Sequence, residues 1–143
     1  MSQQQSNNPL SRQTLDQRRA KHAWEAVQKA KKSNDPKKFG GQARKLPMRI
    51  KASGLGNAIA FINAKGYAPE LLEAISDWVL YQRQNRQSQK KSEKQNICNL
   101  LCEITKGTAD FLRWATDETL AYLQWINRFA EAEGLTEETG QEE

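Results

Sequence analysis

One histidine, two cysteines and no apolar run of membrane length leave this chain of 143 residues poor in the side chains that usually carry chemistry. His22 stands far from Cys98 and Cys102, so no standard Cys/His metal pattern exists. The cysteines are four apart in a helical stretch, which puts their Cβ atoms about 5–6 Å from each other, against about 3.8 Å in a disulfide. They are read as buried, reduced thiols. There is no Gly-rich phosphate loop followed by Lys and Ser/Thr, no nucleophile elbow, and no His/Glu metal-binding motif of the two-histidine kind on a helix face. His22 as a general base would need an orienting partner that the sequence does not supply, and a structural or surface role is expected for it. The reading is a protein that is not an enzyme and takes no metal and no cofactor.

Strand patterns are missing too: no segment alternates with period two between turn signals, and no internal repeat is found. No stretch approaches the roughly 20 apolar residues of a membrane span, and the N-terminus MSQQQSNNP has no apolar signal-peptide core. The expected location is cytoplasmic, with no membrane partner. Mean hydropathy is low at −0.87, partly because both ends are polar. Residues 1–10, rich in Gln, Ser and Asn, cannot bury enough apolar surface to offset the entropy of ordering, and 134–143 are acidic. Both are expected to be disordered tails around a helical domain spanning 11–133.

What the chain does have is positive charge, unevenly placed. The formal net charge of +5 conceals an acidic end with six glutamates from Glu131 onward and no basic residue. From Arg12 to Ser53 there are 13 Lys/Arg against Asp16, Glu25 and Asp35, whereas Gly54 to Ala130 is nearly neutral. A basic N-terminal third points to a polyanionic partner; a solvated, lysine-rich surface is the plainer alternative.

Apolar spacing predicts helices throughout. Ala20, Ala23, Trp24, Val27 and Ala30 mark a first helix from about Ser11 to Ser33, with Arg18, Lys21, Lys29 and Lys32 on its far side. Phe39, Ala43, Leu46 and Ile50 mark a second, in which Lys38, Gln42, Lys45 and Arg49 share another face and Pro47 should distort the backbone near Ala43. Gly54 suits a left-handed cap, and a short third helix from Leu55 ends at Gly66. Pro69-Glu70 opens a fourth, with Leu71, Leu72, Ile75, Trp78 and Val79 inward. Beyond Tyr81 it turns polar, and propensity does not decide between helix and loop there. A fifth helix carries Ile97, Leu100, Leu101 and Ile104. The last runs from about Thr108 to Glu133, with a candidate interruption at Thr116, where Asp117 and Glu118 would complement a helix dipole. The fold class is all-α: a single compact bundle of about six helices.

Trp24 and Trp78 fall on core stripes, whereas Trp114 and Trp125 lie on a final helix with more apolar surface than one small bundle needs, as a subunit interface would explain. The two basic stripes are the strongest functional signal. Packed side by side they would form one groove holding phosphates by charge without reading base sequence. The candidate nucleic-acid-binding residues are Lys38, Lys45 and Arg49, then Arg18, Lys21 and Lys29.

Two blocks, ARKLPMRIKASGLGNAIAFINAKG (Ala43 to Gly66) and FLRWATDETLAYLQWINRFAEA (Phe111 to Ala132), resemble the small subunit of the type III-B CRISPR (Cmr) RNA-guided effector complex. The match rests on Leu46-Pro47, the Gly54-Leu55-Gly56 junction, and Trp125 with Arg128-Phe129-Ala130, and it covers residues from about 12 to 133. The resemblance implies a non-catalytic helical subunit in antiviral defence. Its partners would be copies of itself, the other subunits of the complex, and guide RNA and/or target RNA. Base pairing would read sequence while the protein touches backbone.

Two other readings use the same residues. A helix-turn-helix DNA regulator would use Leu55 to Lys65 as its recognition helix, offering Asn57, Asn63 and Lys65 as base readers. A structural adaptor would use its charge for solubility. Because no acid/base or metal cluster is visible, homogeneous protein is expected to show no metal-dependent RNA cleavage. Robust cleavage, absent from a contaminant control, would overturn the reading as a non-enzyme.

Overall fold

The computed structural model describes residues 12–87 and 96–136. Six helices follow in order: α1 Leu15–Lys31, α2 Pro36–Ser53, α3 Leu55–Lys65, α4 Pro69–Gln87, α5 Asn96–Lys106 and α6 Ala109–Ala132. No strand occurs among the described residues, so the fold is all-α. The tail 1–10, most of the acidic tail, and the polar stretch between α4 and α5 lie outside the described residues.

Local chemistry sets the helix starts. Thr14 closes a capping box with Gln17: the Gln17 amide donates to Thr14 Oγ1 at 3.0 Å, and the Thr14 amide donates to Gln17 Oε1 at 2.8 Å. This places the start of α1 later than the expected Ser11. Asp35 caps α2 with Pro36 in its first turn, and Thr108 caps α6 by accepting from the Phe111 amide at 3.0 Å. No break occurs at Thr116, whose hydroxyl donates to the Leu112 carbonyl at 2.7 Å inside the continuous helix. Gly54 also differs from expectation. Its φ of 92° is positive, but its ψ of 157° is extended rather than left-handed helical, a conformation only glycine adopts without strain. It ends α2 through a 2.7 Å bond to the Ile50 carbonyl and starts α3 by accepting from the Ala58 amide, so two helices join at this single residue.

Helix α6 is the spine: α1 and α2 both pack along it, while α1 also meets α4, α2 meets α3, and α4 meets α5. Between them are buried Phe39, Ala43, Leu46 and Ile50 from α2, Leu71, Leu72, Ile75, Trp78 and Val79 from α4, and Tyr122, Leu123 and Ile126 from α6. Trp24, expected in this core, is 42% exposed and meets Phe129 edge-on at 5.2 Å. Cys102, expected buried, is exposed. Its residue spacing fits a buried stripe, but α5 lies at the margin of the bundle with Leu100 as its one buried large apolar side chain among those described. Beyond α6 the chain turns back so that Leu135 enters the core against Gly40, where a Cβ would collide with the Leu135 carbonyl. The packed body thus reaches past 133.

Pro47 is accommodated by tertiary structure. It has no N–H to give the Ala43 carbonyl, yet α2 is continuous, and Asn127 of α6 supplies the missing donor through Nδ2 at 3.0 Å. Polar groups also join α1, α4 and α6. Glu118 is buried and accepts from Arg19 twice, Nε at 2.7 Å and Nη2 at 3.0 Å, and from the Trp78 indole at 2.7 Å. Arg19 reaches on to Asp16, which also accepts from the Trp125 indole at 3.1 Å. These bonds, Trp125 first, hold the Asp16 carboxyl below its usual range.

Two stability predictions rest on these polar contacts. Glu118→Gln leaves the Arg19 guanidinium with only Asp16 as a counter-charge, and is expected to cost about 2–4 kcal/mol in chemical denaturation. Asn127→Ala is expected to cost about 1–3 kcal/mol by leaving the Ala43 carbonyl without its donor. In a Pro47→Ala background, where residue 47 regains its own N–H, the same truncation should cost less; an equal cost in both backgrounds would show that Asn127 does not compensate for the proline.

Candidate nucleic-acid interface

The second and third helices build the most distinctive charged surface. Because 38, 45 and 49 fall within about 40° of one another around an α-helix, Lys38, Lys45 and Arg49 form a row, spaced by about 10 and 6 Å along the axis. Lys45 is exposed, whereas Lys38 and Arg49 are half-buried for a specific reason. The Lys38 ammonium lies 4.9 Å from the centre of the Tyr67 ring, and the Arg49 guanidinium 4.9 Å from that of Phe61. The Lys65 ammonium approaches Phe61 at 5.7 Å. Arg49 also donates to the side-chain oxygen of buried Gln42 at 2.8 Å, which fixes where its charge sits. Phe61 and Tyr67 meet edge to face at 6.5 Å, so two aromatic rings and three cations occupy one patch with Lys45 on the same helix face.

The backbone beneath this patch is constrained. Tyr67 belongs to the turn between α3 and α4, and its amide donates to the Ile62 carbonyl at 3.3 Å. The next residue, Ala68, has φ of 41°. A non-glycine residue in that region costs about 1–2 kcal/mol. Burial of the Ala68 methyl and the bond from the Leu71 amide to the Ala68 carbonyl hold it there.

The first-helix residues are placed differently. Arg18 is half-buried, with its Nε shielded from solvent. Lys21 pairs with Glu25 at 3.1 Å on the exposed surface. Lys29 lies in a groove between α1 and α4 lined also by His22, Glu25, Glu70, Glu73 and Asp77, so carboxylates surround it. Helices α1 and α2 pack on α6 and scarcely touch each other. The structure therefore brings Lys38, Lys45 and Arg49 together and does not merge them with the α1 stripe.

His22 gains in the structure the orienting partner absent from the sequence. Burial, then the charges of Asp77 and Glu25, push the Tyr122 hydroxyl well above its usual pKa, and its oxygen lies at hydrogen-bond distance, 2.7 Å, from His22 Nδ1. His22 Nε2 then donates to Asp77 at 2.8 Å. Both ring nitrogens are occupied inside the fold, which makes this a structural link between α1, α4 and α6. Glu118 likewise serves as a buried acceptor rather than as a helix-dipole partner at a helix start. Among the described residues no three His, Cys, Asp or Glu side chains are grouped to hold a metal, and no helix is long and apolar enough to cross a membrane.

Sequence reasoning did not single out Phe61 and Tyr67, and weighed Lys65 only as a DNA base reader. The signal was available for Phe61: it lies outside the stripe of Leu55, Ala58, Ile59 and Ile62. The grouping with Arg49 and Lys65 depends on how α2 and α3 pack. On α3, Asn57 and Asn63 are both exposed, beside an exposed aromatic and a cationic row rather than on a face given over to base-reading groups.

Together the fold and this surface define a small all-helical protein with a cation-and-aromatic face on α2 and α3. The chain belongs to the family of CRISPR-associated proteins named Cas_Cmr5, whose sequence model matches residues 15–133. Among relatives, it is 29% identical over 113 residues to the CRISPR system Cmr subunit Cmr5 of Thermus thermophilus, covering 79% of this chain and 90% of that one. The crystal structure of a CRISPR-associated Cmr5 family protein from the same organism superposes with a TM-score of 0.70 at 25% identity, covering 87% of this chain and all of the other. The family resemblance read from the two sequence blocks is thereby established, over nearly the same residues.

Proposed function

We propose that this chain is the non-catalytic small subunit of a type III-B (Cmr) effector complex, acting in the cytoplasm, stacking with copies of itself and with backbone subunits, and binding RNA backbone through Lys38, Lys45 and Arg49. The observation that carries the RNA-binding part is the cationic row on α2, two of whose members, Lys45 and Arg49, lie within the block Ala43 to Gly66. A row of fixed charges binds phosphates by releasing counterions and is indifferent to base identity, which suits a complex in which a guide RNA reads sequence. Family membership favours this reading over the helix-turn-helix regulator. What supports stacking is the aromatic ridge of Trp24, Trp125 and Phe129 at the α1–α6 seam. Trp24 and Phe129 meet edge-on, and Trp125 and Phe129 lie 5.5 Å apart. With Trp24 exposed over 42% of its surface, the ridge is apolar surface of the kind subunit interfaces cover.

The decisive measurement is RNA affinity of assembled complexes across a salt series, comparing wild type with the triple variant Lys38→Glu, Lys45→Glu and Arg49→Glu. Affinity is expected to fall about equally for different guide sequences, and the slope of log K against log salt to become shallower by about 0.7 per lost phosphate contact. Incorporation of the subunit and its helix content are verified first. Equal affinities and equal slopes would remove this row from the RNA path and turn attention to Arg18, Lys21 and Lys29.

A further inference from the structure

Backbone binding accounts for the cations of the α2–α3 face but not for the rings among them. Phe61 is a large apolar side chain 41% exposed, and it projects from α3 into a ring of positive charge. Nothing in the packing of the bundle needs it there, because Leu55, Ala58, Ile59 and Ile62 bury the inner side of α3. Tyr67, at its edge, is held by the strained turn at Ala68. Aromatic rings set among phosphate-binding cations are the arrangement that single-stranded nucleic acid uses: phosphates go to the charges and unpaired bases stack on the rings.

We propose that Phe61, with Tyr67 at its edge, is a stacking platform for an unpaired RNA base, framed by phosphate contacts from Lys38, Lys45, Arg49 and Lys65. The proposal rests on the backbone-binding reading and adds base contact to it, so it requires single-stranded RNA. Lys38 and Lys65 now rest near ring faces on flexible stems. An arriving phosphate draws those ammonium groups away by stronger, charge-assisted hydrogen bonds and uncovers the rings for a base. Arg49, held by Gln42, stays in place, and its guanidinium plane can share the stack. Every base has a π face, so the platform is tolerant of sequence, as the complex requires.

The test measures binding of the full chain at low salt to three fluorescently labelled probes: a 12-nucleotide oligouridylate, an abasic ribose-phosphate strand of equal length, and a 12-base-pair RNA duplex. Phe61→Ala is expected to weaken oligouridylate binding about five- to a hundredfold, with abasic strand and duplex unchanged, and Phe61→Trp to restore it. Phe61→Leu, which keeps apolar bulk without a ring, should behave like Phe61→Ala; it decides the matter if the alanine variant loses helix content. Equal loss on the oligouridylate and the abasic strand, or no loss on either, overturns the platform and leaves the backbone reading standing. A wild-type chain that binds neither strand overturns both.

Discussion

A carboxylate buried where three helices meet is the constraint on which the rest of this bundle depends. Glu118 sits almost without solvent contact and is tolerable there only because Arg19 meets it with two parallel N–H groups and Trp78 with a third donor. Such a group rejects any packing in which α1, α4 and α6 slide past one another, since each slip would strand a charge. A bundle of apolar stripes alone would leave helix register weakly specified. The neighbouring link from Tyr122 through His22 to Asp77 joins the same three helices, so register is held at two points.

With α1, α4 and α6 locked, α2 packs along α6 and carries α3 beside it, where α3 also meets α4 and α5. The junction of α2 and α3 departs from ordinary helix chemistry three times in one region: a proline inside α2, an extended positive-φ glycine between the helices, and a left-handed alanine after α3. Each departure is compensated locally, by Asn127 at Ala43, by the absent Cβ at Gly54, and by burial of Ala68. What the departures achieve is a sharp turn that sets the outer faces of α2 and α3 beside each other. There Lys38, Arg49 and Lys65 surround Phe61 and Tyr67.

Charge is segregated in three dimensions more strongly than along the chain. The basic N-terminal third contributes residues to two unlike environments, a cationic row on α2 and, at Lys29, a groove dominated by carboxylates of α4. A count of lysines per segment could not separate these. The field is positive over the first and negative over the second.

Apolar spacing by itself determined the six helices, and most of the core with them. The stripes Phe39/Ala43/Leu46/Ile50 and Leu71/Leu72/Ile75/Trp78/Val79 are all buried, because a helical period leaves one face to hide whatever the partner. The grouping of Lys38, Lys45 and Arg49 was legible for the same reason, since one helix fixes their relative angles. Trp24 and Cys102 were misplaced because a stripe shows which side faces inward but not where the neighbouring helix stops. Contacts between helices were not legible at all. That Pro47 would be served by Asn127, that Glu118 would be a buried acceptor rather than a helix-dipole partner, and that Phe61 would stand among cations depend on pairs of residues distant in sequence. Their proximity is a product of packing, and only the tertiary structure decided it.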